Sequence, residues 1–267
     1  MIKMIASDLD GTLLLNKAQS LPQDIFPLIR QLKELGILFV AASGRQYPNM
    51  KRLFGPMVDE ISYISENGAL AVEHEQVLYQ DVFDRKLAEE IIHAILSKKD
   101  AEFTCSAKDY HYLMPKTEHF TKLMTDIVKN DCKFIHSLDE MTEPIMKLAV
   151  YEPGGMIEEV TRYWIERFKN DCTVVTSGNE WIDFIPFGTN KAKGILELQK
   201  KHHISPEECM AFGDEYNDIE MLKAVKYGFA MAHSKEGVKK AAAFETDRVQ
   251  TVLKKLIEAK GNPEGVI

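Results

Sequence analysis

A chain of 267 residues, 45% apolar and 28% charged, has ordinary globular composition and enough length for one large domain or two modest ones. Its formal net charge of −8 argues against a non-specific nucleic-acid binder and against adhesion to an acidic membrane surface, while leaving room for a local cationic pocket.

In chain order, Met4-Ile5-Ala6 reads as a buried strand. Apolar residues at Ile25, Leu28, Ile29, Leu32 and Leu35 predict an amphipathic helix within 21–35, its start blurred by Pro27 and its end marked by Gly36. Ile37 to Ala42 is a second buried strand, Pro48 to Phe54 a short helix and Ile61 to Ile64 a third strand, closing at Glu66-Asn67-Gly68. This alternation predicts βαβ units in a parallel sheet, with a hairpin over 72–82. After Phe83 the character changes: helices over 85–96, 118–129 and 157–168 alternate with strands over 102–106, 145–151, 173–176 and 181–185. The first pattern resumes at Gly188, with helices over 192–201, 219–225, 238–242 and 249–259 and strands over 209–212 and 227–231. Ser205-Pro206-Glu207-Glu208 has the spacing of a capping box. The fold class expected is α/β: a Rossmann-like parallel-sheet core of residues 1–83 and 187–267, interrupted by an inserted α/β domain of residues 84–186.

The first apolar run meets Asp8 too early for a secretion signal, and the longest uncharged apolar stretch, Ile37 to Ala42, is too short to cross a bilayer. Cys105, Cys132, Cys172 and Cys209 are widely spaced, as for reduced buried thiols. A cytoplasmic protein is expected, with no nucleic-acid and no membrane partner.

The chemistry starts at Ser7-Asp8-Leu9-Asp10-Gly11-Thr12. Strand alternation puts Asp8 and Asp10 on one side, and Gly11 permits a sharp turn. Two carboxylates at a strand's carboxyl end call for a cation or a shared proton; the bland alternative is an Asp-Gly turn. Ser43-Gly44-Arg45 offers a hydroxyl and backbone N–H groups for a phosphoryl oxygen, or simply a capped strand-to-helix turn; Arg45 fits a substrate contact or a surface pair. Gly213-Asp214-Glu215-Tyr216-Asn217-Asp218 adds acidic groups, readable otherwise as an acidic helix cap. The His residues show no metal-ligand spacing, and no P-loop is present.

With these stretches and Lys191, the chain resembles the haloacid dehalogenase superfamily of phosphohydrolases. Within it the chain is most similar to the Cof-type phosphatases, with a type C2 (C2B) α/β cap inserted between the second and third motifs. The resemblance is specific in the four motifs and loose in the cap. It implies Asp8 as nucleophile and Asp10 as acid/base, with Ser43 and Lys191 completing the catalytic set; it selects Lys191 over Lys193. It also implies Thr12, Gly44, Arg45 and Asn217 as substrate contacts. Mg²⁺ would be held by Asp8, the Asp10 carbonyl and Asp214, with Asp218 orienting waters or Lys191. Two departures stand out: Ala232-His233-Ser234 follows Met231 where an Asn is common, and Thr246 to Val249 lacks the expected Gly-Val segment.

The implied function is Mg²⁺-dependent hydrolysis of a small phosphorylated metabolite, a sugar phosphate by class, through an aspartyl phosphate, with the inserted domain choosing the leaving group. The alternatives are a phosphotransferase or mutase of the same superfamily and a non-catalytic phospho-ligand-binding protein. A monomer or weak homo-oligomer is expected.

Overall fold

The computed structural model describes residues 1–155, 158–176 and 180–266. The chain divides into two compact units: Met1–Arg45, Met50–Tyr79 and Asn190–Ile267 form one, Gln46–Asn49 and Gln80–Thr189 the other.

The first unit opens with β1 (Met4–Ser7), α1 (Ile25–Glu34), β2 (Leu38–Ala42), α2 (Tyr47–Phe54) from Met50 onward, β3 (Ser62–Ser65), β4 (Leu70–Glu73) and β5 (Gln76–Gln80) up to Tyr79. Pro27 lies in the first turn of α1, where its missing N–H costs nothing. That helix closes as a Schellman motif: Ile37 N–H donates to the Leu32 carbonyl and Gly36 N–H to the Lys33 carbonyl, with Gly36 at φ +73°. The expected hairpin over 72–82 is instead Leu70–Glu73 paired with Gln76–Gln80. Its two-residue turn is His74-Glu75, both left-handed at φ 47° and 62°. Without the usual Asn-Gly pair the sequence does not mark where the hairpin turns.

The second unit holds α3 (Arg85–Leu96), β6 (Glu102–Ser106), β7 (His111–Leu113), α4 (Glu118–Lys122), β8 (Cys132–Phe134), β9 (Lys147–Tyr151), α5 (Glu158–Phe168), β10 (Thr173–Thr176) and β11 (Trp181–Ile185). Its six-stranded sheet runs β10-β11-β9-β6-β7-β8, antiparallel except for β7 with β8. Ile91, Ile92 and Ile95 of α3 and Trp164 and Phe168 of α5 share a core with Phe103, Leu148 and Phe184 of the sheet. The helix expected over 118–129 changes at Leu123 into a π-helical turn, Leu123–Val128. Ile157, expected to begin α5, lies outside the described residues. Trp181 packs with Tyr151 and Phe120, ring centroids 4.9 and 6.1 Å away, as core rather than as an open platform.

The chain then returns to the first unit with α6 (Lys191–His202), β12 (Cys209–Gly213), α7 (Ile219–Lys223), β13 (Tyr227–Met231), α8 (Glu236–Ala241), β14 (Phe244–Thr246) and α9 (Val249–Glu258). The eight-stranded sheet runs β14-β13-β12-β1-β2-β3-β4-β5. It is parallel from β14 to β3, and β4 lies antiparallel to β3. Every residue of β1, β12 and β13 is buried, as parallel strands covered on both faces require. Ile195 and Leu198 of α6 and Met221 and Leu222 of α7 cover one face, and α1 and α9 pack together. The strands missing from the sequence reading, β7, β8 and β14, have three residues each, too short to establish a period. No disulfide forms, and Cys105, Cys172 and Cys209 are buried. Among the described residues no helix is long and apolar enough to cross a membrane.

Candidate active site

Strand order reverses at β1, which pairs with β2 on one side and β12 on the other. Such a switch point leaves a crevice outside the carboxyl ends of the strands. Asp8 follows β1 there, Ser43 follows β2 and Asp214 follows β12. Asp8 N–H donates to the Phe212 carbonyl (2.9 Å) and Ser43 N–H to the Ile64 carbonyl (2.8 Å), so sheet pairing continues into the site. Gly11 turns the chain at φ +90°, and a Cβ on it would lie 2.1 Å from Asp214 Oδ2. Only glycine lets this loop approach Asp214 so closely.

Lys191 opens α6, capped by Asn190, whose Oδ1 accepts from Ala192 N–H (3.0 Å). A cation at a helix amino terminus opposes the helix dipole, and this one is fully buried. It is held by two carboxylates: Nζ lies 2.6 Å from Asp8 Oδ1 and 2.6 Å from Asp218 Oδ1. Burial would push the ammonium down, but Asp218 and Asp8 outweigh it and hold it above its ordinary range. Asp218 Oδ2 accepts from the N–H groups of Asp214 (2.9 Å) and Glu215 (3.0 Å), so both its oxygens are engaged. Thr12 Oγ1 donates to Asp214 Oδ1 at 2.8 Å.

Among the described residues no hydrogen bond engages Asp8 Oδ2 or Asp214 Oδ2. Ligand oxygens of Asp8, Asp214 and Asp218 all lie within 4.8 Å of one another, and this cluster can hold a divalent cation. Three buried carboxylates face one ammonium. Burial pushes the Asp8 carboxyl up to about 8 against the opposition of Lys191, and the charges of Asp218 and Asp214 add to the push. Asp214 is raised by burial as well, with Thr12 opposing. Buried carboxylates pushed up in this way, with one ammonium among them, have an unmet demand for positive charge.

Asp10 does not join the cluster. Strand geometry ends at Ser7, so the alternation that would aim Asp10 beside Asp8 does not extend to it. Its side chain is 55% exposed, and Arg45 Nε and Nη2 bind its two oxygens at 2.7 and 2.6 Å. That contact raises the guanidinium above its ordinary value. Ser43 is buried, and its Oγ accepts from Arg45 N–H at 3.2 Å. Asn217 Nδ2 donates to Asn67 Oδ1 (3.0 Å), and the same Asn67 oxygen would lie 2.8 Å from a Cβ on Gly44. Asn67 thus joins two site stretches, and the sequence reading did not single it out. Its signal is conformational: Glu66, Asn67 and Gly68 are successively left-handed at φ 49°, 57° and 99°, a strained run of the kind that collects at functional sites. Gly68 packs on the start of α6, its Cβ position 2.1 Å from the Asn190 carbonyl oxygen.

The sequence profile of the haloacid dehalogenase-like hydrolases matches residues 5–252, from β1 into α9. The chain belongs to this family. Among the proteins it is similar to is the 5-amino-6-(5-phospho-D-ribitylamino)uracil phosphatase YbjI of Escherichia coli, 29% identical over 91% of this chain and 90% of that protein. Phosphatase YwpJ of Bacillus subtilis is 28% identical over 90% and 93%. A solved structure from Eubacterium rectale superimposes with a TM-score of 0.85 at 25% identity, covering 95% of this chain and 98% of the other. The family architecture, a Rossmann-like core interrupted by an inserted cap domain, is the one described above.

Proposed function

We propose that this haloacid dehalogenase-like hydrolase is a Mg²⁺-dependent phosphatase of the Cof type with a C2B cap, hydrolysing small phosphomonoesters of the sugar-phosphate class. The observation that carries the reading is the buried Asp8–Lys191–Asp218 chain beside Asp214 at the switch point. Relatives named as phosphatases, one of them for a ribityl phosphate ester, support the substrate class.

The donor set suits a hard cation: carboxylate oxygens of Asp8 and Asp214 remain available, and the site carries excess negative charge. With the Asp10 carbonyl, these residues would hold Mg²⁺, which lets a dianionic phosphate approach an anionic nucleophile. Asp8 attacks phosphorus and becomes the aspartyl phosphate. Lys191 fixes Asp8 Oδ1, leaving Oδ2 as the other oxygen of the nucleophile, and Asp218 anchors Lys191 to the backbone of the Asp214 loop. Asp10 protonates the leaving alkoxide and then accepts a proton from the water that hydrolyses the intermediate. Ser43, Gly44, Thr12, Arg45 and Asn217 orient the phosphoryl group, and the inserted domain selects what the phosphate is attached to.

The test is Mg²⁺-dependent release of phosphate from a panel of sugar phosphates and p-nitrophenyl phosphate. Wild type should turn over, and Asp8→Asn should retain the fold with no turnover; activity of Asp8→Asn at the wild-type rate sinks the mechanism. Partitioning of the phosphoryl group between water and added acceptor sugars separates a phosphatase from a phosphotransferase.

A further inference from the structure

β13 lies parallel to β12 with Gly213 opposite Ala230, so the turn after Met231 emerges at the same sheet edge as Asp214. Ala232 N–H donates to the Thr246 carbonyl and Ser234 N–H to the Met231 carbonyl, both at 2.9 Å, which fixes that turn. It presents His233, whose Nε2 lies 3.6 Å from Asp214 Oδ2. Oδ2 is the oxygen that Thr12 leaves unengaged. A separation of 3.6 Å is too long for a direct hydrogen bond. Neighbouring donors on an octahedral ion stand about 3.0 Å apart at a metal–ligand distance of about 2.1 Å, so an exposed imidazole need move only a few tenths of an ångström to share an ion with Asp214. Among the described residues no hydrogen bond engages the His233 ring, and its side chain is 53% exposed, so the imidazole is held at the cluster without being used up. The neighbouring Ser234 Oγ is buried with no partner among the described residues.

We propose that His233 is a nitrogen donor to the divalent cation of this site, giving a mixed oxygen and nitrogen ligand set whose affinity for later first-row metals such as Co²⁺, relative to Mg²⁺, is higher than that of an all-oxygen set. The proposal rests on the metal site assigned above. All-oxygen sets suit Mg²⁺, whereas imidazole strengthens binding along the series from Mn²⁺ towards Cu²⁺. Donation through Nε2 places the ring proton on Nδ1. An amide at this position lacks a comparable nitrogen lone pair, so the sequence choice of His at 233 alters which ion the site prefers.

Binding of Mg²⁺ and of Co²⁺ to the full chain is measured by calorimetry for wild type, His233→Asn and Asp214→Asn, with the Co²⁺ forms examined by proton NMR for a paramagnetically shifted imidazole N–H. Wild type should show that resonance, and His233→Asn should lose it. The substitution should weaken Co²⁺ binding by about tenfold or more while changing Mg²⁺ binding less than about threefold, the scale on which metal-site partners act. No shifted imidazole resonance in wild type, or an equal loss for both ions, overturns the proposal. Asp214→Asn separates the two layers: if it abolishes binding while His233→Asn leaves the Co²⁺ preference intact, only the role of His233 fails. If Asp214→Asn binds as wild type does, the metal site itself is misassigned and the proposal falls with it.

Discussion

Arg45 grips Asp10 by both carboxylate oxygens, through Nε at 2.7 Å and Nη2 at 2.6 Å. A bidentate guanidinium–carboxylate pair fixes direction as well as charge, and lysine cannot reproduce it. If Asp10 delivers the proton to the leaving group, Arg45 sets where that carboxylate stands. Arg45→Met should lower kcat/KM for a sugar phosphate by about 10- to 100-fold, the worth of hydrogen bonds to a charged group. The loss should be smaller for p-nitrophenyl phosphate, whose leaving group needs little protonation. Equal losses on the two esters would mean that Arg45 serves the phosphoryl group alone and does not position Asp10 for proton delivery.

Asp214 is held at a cost to the fold. Its carboxyl is raised by burial, beside Asp218 and within the acidic cluster. Replacing such a carboxylate by its neutral isostere relieves repulsion while keeping the Thr12 contact. Asp214→Asn should therefore melt at a higher temperature than wild type in chelator. It should also lose the rise in melting temperature that Mg²⁺ gives the wild type, since a ligand of the native state stabilises only where it binds. Differential scanning calorimetry with and without Mg²⁺ checks both; a variant less stable than wild type in chelator would contradict the electrostatic account.

Glu73 supplies a pH dependence away from the cluster. Its carboxylate is buried on β4 and accepts from Ser62 Oγ (2.9 Å), Lys201 Nζ (2.6 Å) and His202 Nε2 (2.8 Å). Burial pushes it up, but the Lys201, His202 and Ser62 hydrogen bonds prevail and hold it below its ordinary 4.5. A depressed folded-state value means the contribution is present above pH 4.5 and is lost as pH falls through the lower value. Glu73→Gln should lower the melting temperature at pH 7, and its curve should converge with that of wild type below pH 4.5. A constant offset down to strongly acid pH would assign the loss to packing.

Gly11 combines φ +90° with a Cβ position 2.1 Å from Asp214 Oδ2. Gly11→Ala should cost about 1–3 kcal/mol for the backbone conformation alone. Because the clash falls on the carboxylate that the cation needs, Mg²⁺ affinity should drop together with stability. Urea unfolding and calorimetric Mg²⁺ titration report the two effects separately.

His74 and Glu75 hold left-handed conformations in a two-residue hairpin turn, the Glu side chain also pairing with Lys51 at 2.8 Å on the surface. Asn-Gly is the pair suited to such a turn. Replacing both residues, His74→Asn with Glu75→Gly, should stabilise the protein by about 0.5–1 kcal/mol, because relief of the left-handed conformation exceeds the backbone freedom glycine adds to the unfolded chain and an exposed ion pair is worth little. A destabilised double variant would show that the Lys51 pairing outweighs the turn conformation.

Buried runs such as Met4-Ile5-Ala6 and Cys209 to Phe212, and the amphipathic spacing of α1, made the parallel sheet legible, because covered strands and one-sided helices leave periodic traces. The short strands β7 and β14 left no such trace. Neither did the π-helical turn at Leu123–Val128, whose sequence reads as ordinary helix. At the site, Asp8, Asp214 and Asp218 stood out as carboxylates next to strand ends, whereas Lys191 was selected only by resemblance to the family pattern. Asn67 did not, because its place follows from three successive left-handed residues and from a partner, Asn217, that lies far away in the chain.

The sequence by itself determined the longer strands and helices and which residues bear charge, since these follow from local pattern and composition. Only the tertiary structure decided how the carboxylates divide: Asp8 and Asp218 on Lys191, Asp214 on Thr12 and Asp10 on Arg45. Those pairings depend on which strand ends lie side by side at the switch point and on where the backbone stops being a strand, and neither is encoded in the spacing of acidic residues along the chain.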